Sequence, residues 1–217
     1  MEAADKHGAK GAGKLEGKLM LDMADLKRRA GKDGVPQATV EKDFALSVAL
    51  AVIADSELAT QLVFKGGTAI KKMYFEDARY SEDLDFSVRG TNKHEILAAL
   101  RKAFEGKRLE GLLFGDVEEE KTSAGLKLAV RFTGPLAHPQ RIRFDFSFRE
   151  NLAGPAVEAE IIDTYGLGKR SLLVLSLEEI FAEKLHALGS RVAPRDLYDV
   201  WFLLGKGVRP EKKIIDM

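Results

Sequence analysis

The segment FKGGTAIKKMYFEDARYSEDLDFSV, residues 64–88, constrains the fold more than any other part of the chain. The apolar run LVFK at residues 62–65 predicts a short strand, and two glycines follow it. The residues after the glycines favour a helix that runs to Phe75, with Thr68 as its N-cap. The sequence therefore predicts a small-residue turn between a strand and a helix.

A pair of aspartates lies just beyond this turn, at the start of DLDFSV, residues 83–88. That run predicts a strand, in which Asp83 and Asp85 share one face at about 6–7 Å between their Cα atoms. Two anions this close raise each other's pKa unless they share a cation, and oxygen ligands of this kind suit Mg²⁺. We therefore predict that Asp83 and Asp85 bind Mg²⁺.

The glycine turn is a candidate phosphate-binding loop. Glycine lets backbone N–H groups approach a ligand, and the N-terminus of the following helix favours an anion. Each half of the segment has a simpler interpretation, because a lone GG is usually a turn and a lone DxD is usually a solvated strand edge. Their combination favours nucleotide transfer. The residues that we assign to nucleotide binding are Lys65, Gly66, Gly67, Thr68, Arg79 and Ser81.

A third carboxylate is predicted on a later strand, RIRFDFSF at residues 141–148. Alternation places its apolar side chains on one face and Asp145 on the other, with the arginines. Asp145 is thus a candidate for a further metal ligand or a general base.

The order of elements is helices, then mixed strands, then helices, without internal repeats. It predicts an α+β protein that has a small mixed sheet flanked by helices. Residues 1–18 are rich in Lys, Gly and Ala and predict a flexible tail. We expect the core at 19–155 and a helical C-terminal part, which could be incomplete, at 156–217.

Lys184 lies in the middle of an apolar helical face formed by Leu177, Ile180, Phe181, Leu185 and Leu188. A lysine there must either extend to the surface or meet an anion, such as the aspartate pair or a phosphate. Asp196 lies in the first turn of the next predicted helix, where the helix dipole alone can account for an acidic residue.

Composition adds few constraints. Lys plus Arg and Asp plus Glu both number 34, so a polyanionic partner would have to be met by a local patch. The absence of cysteine excludes disulfides and thiolate chemistry. No run approaches the roughly 20 apolar residues of a membrane span, and no secretory signal is evident, so we expect a cytoplasmic protein without a membrane partner.

Four segments, taken together and in this order, resemble the AbiEii/AbiGii toxin family of nucleotidyltransferases, which are relatives of the MenT toxins in the DNA polymerase β-like superfamily. They are EKDF, FKGGTAIKKMYF, RYSEDLDF and EKLHAL…RDLYDV. The resemblance implies a polymerase β-like nucleotidyltransferase fold and a transfer of a nucleotide from an NTP to the 3′ end of a tRNA, which blocks translation. It also implies a cognate antitoxin and a role in toxin–antitoxin or phage-defence systems.

The resemblance assigns roles by position. The phosphate motif matches Gly66, Gly67 and Thr68, and the metal-binding DxD matches Asp83 and Asp85. Its downstream motifs match Lys184 and Asp196, which we add to the pair as catalytic candidates. Two alternatives stay open: a nucleotide-binding module without catalysis, and a transferase that nucleotidylates proteins.

Overall fold

An eight-stranded mixed sheet organises the chain in the computed structural model, which describes residues 21–148, 154–190 and 193–209. Within these ranges the helices are α1 (Met23–Asp33), α2 (Gln37–Ala54), α3 (Gly66–Ala69), α4 (Lys93–Phe104), α5 (Leu177–Ser190) and α6 (Pro194–Gly205). The strands are β1 (Leu62–Lys65), β2 (Asp83–Val88), β3 (Arg108–Leu109), β4 (Leu112–Glu120), β5 (Leu126–Thr133), β6 (Gln140–Ser147), β7 (Val157–Glu160) and β8 (Ser171–Val174). The α+β class is confirmed, but the sheet is larger than expected.

The sheet order is β3-β4-β5-β6-β2-β1-β8-β7, with β2 parallel to β6, β1 parallel to β8 and the remaining neighbours antiparallel. In this register Lys65 lies opposite Asp85, and Asp85 lies opposite Asp145. The topology therefore brings the glycine turn after β1 and the acidic residues of β2 and β6 to the same part of the sheet.

The core lies on one face of the sheet, where alternate residues of β6 are apolar. Phe144 and Phe146 are fully buried and stacked, with 6.1 Å between ring centroids, whereas Arg143, which precedes Phe144, is exposed. Helix α4 packs on this apolar face, since the ring centroid of its Phe104 lies 5.0 Å from that of Phe114 and 6.1 Å from that of Phe144. The opposite face is therefore left to polar side chains, as the alternation predicted.

Helix α2 is buried on nearly all sides, and its acidic residues require partners within the protein. Asp43 accepts hydrogen bonds from Lys72 at 2.6 Å and from the hydroxyl of Tyr165 at 2.8 Å. Burial lowers the pKa of Lys72, while the carboxylate of Asp43 opposes that shift. Lys72 lies in Ile70–Tyr74, a π-helical segment that continues α3. The ion pair thus fixes the helix after the glycine turn to α2.

Some elements were not expected from the sequence. Strands β7 and β8 extend the sheet beyond residue 155, and the C-terminal helices begin only at Leu177. The expected tail at 1–18 lies outside the described residues. Among the helices of the described ranges, none is long and apolar enough to cross a membrane.

Candidate active site

The glycine turn lies directly against the aspartate pair. Gly66 follows β1 with φ of +78°, a left-handed conformation that side chains rarely adopt. A Cβ atom at this position would lie 2.3 Å from Oδ2 of Asp85. The position therefore requires glycine twice, for its backbone angle and for the close approach of the carboxylate.

The second glycine makes room for polar side chains. A Cβ on Gly67 would lie 3.1 Å from Nη2 of Arg79 and 3.4 Å from Oγ of Ser81. Gly67, Arg79 and Ser81 all line one pocket of about 200 Å³. Three of the residues that we predicted to bind nucleotide are thus gathered in one cavity.

Thr68 does not cap a helix, because α3 already begins at Gly66. Its side chain is buried, and Oγ1 donates a 2.5 Å hydrogen bond to the backbone carbonyl of Asp83. The hydroxyl thus fixes the start of β2 to the turn and is not directed to the pocket that Asp83 lines.

Asp83 and Asp85 line the same pocket, and their environment suits a cation. Burial, followed by the charges of Asp145 and Asp83, raises the pKa of Asp85 to about 6, while Lys184 and Lys65 oppose the shift. Oδ1 of Asp83 is buried and makes no hydrogen bond. Asp83 thus has a buried carboxylate oxygen without a hydrogen-bond partner, and Asp85 beside it is repelled by neighbouring carboxylates. Such a pair of side chains suits a divalent cation as its ligands.

Asp145 completes the acidic side of the pocket but has its own partner. Its Oδ2 lies 2.9 Å from Nζ of Lys127, and this hydrogen bond raises the pKa of Lys127. In the described part of the chain, no three His, Cys, Asp or Glu side chains are gathered as a ready metal site. Asp145 therefore lies in the pocket beside Asp83 and Asp85, with Lys127 as its partner.

Lys184 contacts anions, which is one of the two outcomes expected from the sequence. These anions are aspartates of α6. Its Nζ lies 3.1 Å from Oδ1 of Asp196 and 2.9 Å from Oδ2 of Asp199. Asp199 also accepts from Nε and Nη2 of Arg79 at 2.7 and 2.8 Å. Lys184 and Arg79 both line the pocket, so the carboxylate of Asp199 holds two pocket cations in place.

Asp196 is fully buried and does not line the pocket. It contacts the site through Lys184, so its role in this geometry is to position that lysine. Lys65 is likewise outside the pocket, because its Nζ pairs with Glu183 at 2.9 Å. Of the predicted residues, Thr68, Lys65 and Asp196 thus support the site from its edge.

Sequence reasoning missed several residues of the site. Lys127, Arg143 and Arg195 line the pocket, and Asp199 contacts two of its cations. A signal existed for Arg143, because it precedes Asp145 by two residues and so lies on the same polar face of β6. Lys127 could be found only from the pairing of β5 with β6, which places it opposite Asp145.

A mixed sheet carries a glycine turn that lies against a pair of carboxylates, and cations surround them. This arrangement defines a nucleotidyltransferase. The chain belongs to the AbiEii family, because residues 48–217 match the family model described as "Nucleotidyl transferase AbiEii toxin, Type IV TA system". The family defines a nucleotidyltransferase toxin of a type IV toxin–antitoxin system, with a nucleotide substrate and an antitoxin partner.

Solved structures that are similar to this chain include two nucleotidyltransferase-type proteins. MenT4, a nucleotidyltransferase toxin from Mycobacterium tuberculosis H37Rv, matches with a TM-score of 0.74 and 25% identity over 90% of this chain and 68% of its own. An antigenic nucleotidyltransferase-like protein from Paracoccidioides brasiliensis matches with a TM-score of 0.52 and 16% identity over 76% of this chain and 78% of its own, and shows the fold alone. No curated protein sequence matches significantly.

Proposed function

We propose that this toxin transfers a nucleotide from an NTP to the 3′ end of a tRNA, with Mg²⁺, and thereby blocks translation in the cytoplasm. The observation that carries the proposal is the position of Asp83 and Asp85 against the glycine turn, with one buried carboxylate oxygen of Asp83 unpartnered. This arrangement places ligands for a divalent cation beside a loop that can accept phosphates.

The charge of each pocket residue determines the role that we propose for it. The backbone at Gly66 and Gly67 approaches the triphosphate, and Arg79 and Lys184, both held by Asp199, neutralise its charge. Bound between Asp83 and Asp85, Mg²⁺ would stabilise the negative charge that develops on the departing pyrophosphate. Because the cations are fixed before substrate binds, little reorganisation is needed during the reaction.

In the transfer itself, an acceptor hydroxyl oxygen bonds to the α-phosphorus. The bond from the α-phosphorus to the oxygen that bridges to the β-phosphate breaks, and pyrophosphate leaves with the electron pair. The hydroxyl proton needs a base, and Asp145 is a carboxylate of the same pocket that is available for it. Its ion pair with Lys127 orients the carboxylate in the meantime.

The acceptor is proposed from the class of the protein and from charge. Lys127, Arg143 and Arg195 surround the acidic residues of the pocket, and cations so placed suit a polyanionic acceptor. A tRNA has one exposed 3′ end, and its modification would stop protein synthesis. Such growth arrest is what an antitoxin would have to oppose, and it would also serve phage defence.

The test is incubation of the purified protein with total cellular RNA, Mg²⁺ and each α-labelled NTP in turn. Wild type should label a tRNA-sized band, and Asp83→Ala should not. Asp116→Ala is the matched control, because Asp116 is an exposed carboxylate of β4 that does not line the pocket. Chelation of Mg²⁺ should abolish the label. Label that survives nuclease digestion and stays in protein would contradict a tRNA acceptor.

A further inference from the structure

The outer face of α6 carries aromatic side chains that the rest of the described chain does not cover. Trp201, the sole tryptophan, is 65% exposed, and Tyr198 is 38% exposed. Their ring centroids are 5.6 Å apart. The same helix presents Asp196 and Asp199 inward to the active-site lysine. The aromatic face is therefore carried by an element that also builds the site.

A cation joins this face to the catalytic pocket. Arg195 lines the pocket and precedes Tyr198 and Trp201 at i, i+3 and i+6 of α6. Residues at this spacing form one ridge along a helix, here about 9 Å long from Arg195 to Trp201. Within the described residues, no ion pair engages the guanidinium of Arg195. The ridge thus runs outward from the pocket as a cation followed by two aromatic rings.

We propose that this ridge binds the single-stranded 3′ end of the RNA acceptor. In this mode Tyr198 and Trp201 stack on unpaired bases, and Arg195 contacts the phosphate that enters the pocket. Unpaired RNA is recognised by stacking on aromatic side chains and by charge along the backbone. The proposal rests on the proposed function, since it names how the acceptor of that reaction is held.

Charge and position favour RNA over a protein partner on this ridge. The acceptor must reach Asp83 and Asp85, and the ridge ends at the pocket that contains them. Leu197 is 59% exposed and lies one helical turn before Trp201, so a protein partner on this face would contact both side chains. An aliphatic side chain cannot stack on a base as an aromatic ring does, so Leu197 separates the two occupants experimentally.

The sole tryptophan makes binding directly measurable. We expect an emission spectrum typical of a solvent-exposed indole in the full-length chain. Addition of an unstructured RNA of about ten nucleotides should quench this emission, because bases stack on the indole. The quenching should weaken as salt is raised. A spectrum typical of a buried indole before RNA is added would show that protein covers Trp201 and would overturn the proposal.

Variants then test the role of the ridge in the reaction. Trp201→Ala should raise the KM for RNA about tenfold or more, because stacking on one base contributes this much to affinity. The KM for the NTP should be unchanged, and Trp201→Phe should retain most of the RNA affinity. Leu197→Ala should behave as wild type. An equal effect of Trp201→Ala and Leu197→Ala, or no effect of either, would refute the proposal.

Failure of this inference differs from failure of the proposed function. Quenching needs no turnover, so RNA can bind the ridge even if no nucleotide is transferred. In that case the ridge stands and the reaction is wrong. If RNA is labelled efficiently while Trp201→Ala leaves the KM for RNA unaltered, the reaction stands and the ridge is wrong.

Discussion

Replacement of Gly66 by alanine tests whether the glycine turn and the aspartate pair, Asp83 and Asp85, act as one unit. Its backbone has φ of +78°, where an alanine raises the free energy of the folded state by about 1–2 kcal/mol. For a chain of this size, such a loss lowers Tm by roughly 2–8 °C. This part of the effect concerns the backbone alone.

The second part of the effect falls on Asp85. The new Cβ would lie 2.3 Å from Oδ2 of Asp85, whereas ordinary contacts begin at 3.4 Å, so the carboxylate must move by about 1 Å. A displacement of about 1 Å in a reacting site can reduce the rate about 10²-fold. We therefore expect Gly66→Ala to lose nucleotide incorporation far beyond what its change in stability explains.

Gly90→Ala is the matched control. Gly90 also has a positive φ, +69°, but a Cβ there would have no atom within 4 Å. Both variants should lose similar stability in a thermal melt, and Gly90→Ala should retain its activity in the labelled-NTP assay. If Gly66→Ala is folded and as active as Gly90→Ala, the close approach to Asp85 has no part in catalysis, and the reasoning fails.

Three further predictions follow from the charges of the site, and the second compares two lysine substitutions. The raised pKa of Asp85 means that the folded chain binds more protons than the unfolded chain up to about pH 6, so stability falls as pH rises through that window. Asp85→Asn should therefore raise the Tm of the metal-free protein at neutral pH and change it little in acid, and added Mg²⁺ should stabilise only wild type; a lower Tm at neutral pH would contradict this. Lys184→Ala should reduce the free energy of unfolding by about 1.5–3 kcal/mol, because it removes a mostly buried cation that contacts two buried carboxylates, Asp196 and Asp199. Lys65→Ala breaks a partly exposed pair and should reduce it by about 1 kcal/mol or less, and equal losses in urea unfolding would refute the distinction. Asp145→Asn should leave the stability within about 1 kcal/mol, because its pair is half-exposed, yet lower incorporation about 10²-fold or more if it takes the proton; full activity would remove it from the site.

Elements that local chemistry determines were predicted well. The strand DLDFSV is β2 with the expected bounds, and Asp196 lies in the first turn of α6, as expected. Proline at the first turn and alternation along a strand act through neighbouring residues only. They can therefore be read without knowledge of the fold.

Elements that depend on distant partners were missed. Strand β7, VEAE, is an edge strand with mostly exposed residues, so it lacks the alternation that marks a half-buried strand. Strand β4 contains an irregularity in its pairing between Phe114 and Val117, which interrupts the periodic pattern. Both strands form because neighbouring strands supply hydrogen bonds, and that information is not local.

In the site, too, local features were predicted and contacts with distant residues were not. Thr68 was expected to cap a helix, but its hydroxyl donates a hydrogen bond to the backbone carbonyl of Asp83. For Lys184, the apolar periodicity left two outcomes, extension to the surface or contact with an anion, and the lysine contacts carboxylates. Which anion it would be depended on the packing of α5 against α6, and this placed Asp196 and Asp199 beside the lysine.

The carboxylate of Asp199 explains why the two motifs at opposite ends of the sequence belong to one site. It binds Arg79, which precedes the aspartate pair of β2, and Lys184, which comes from α5. A Cβ on Gly67 would lie 3.4 Å from the same carboxylate, so the second glycine leaves space for this junction. Since the junction fixes both cations before any phosphate arrives, the C-terminal helices contribute to the preorganisation of the pocket as directly as the glycine turn does.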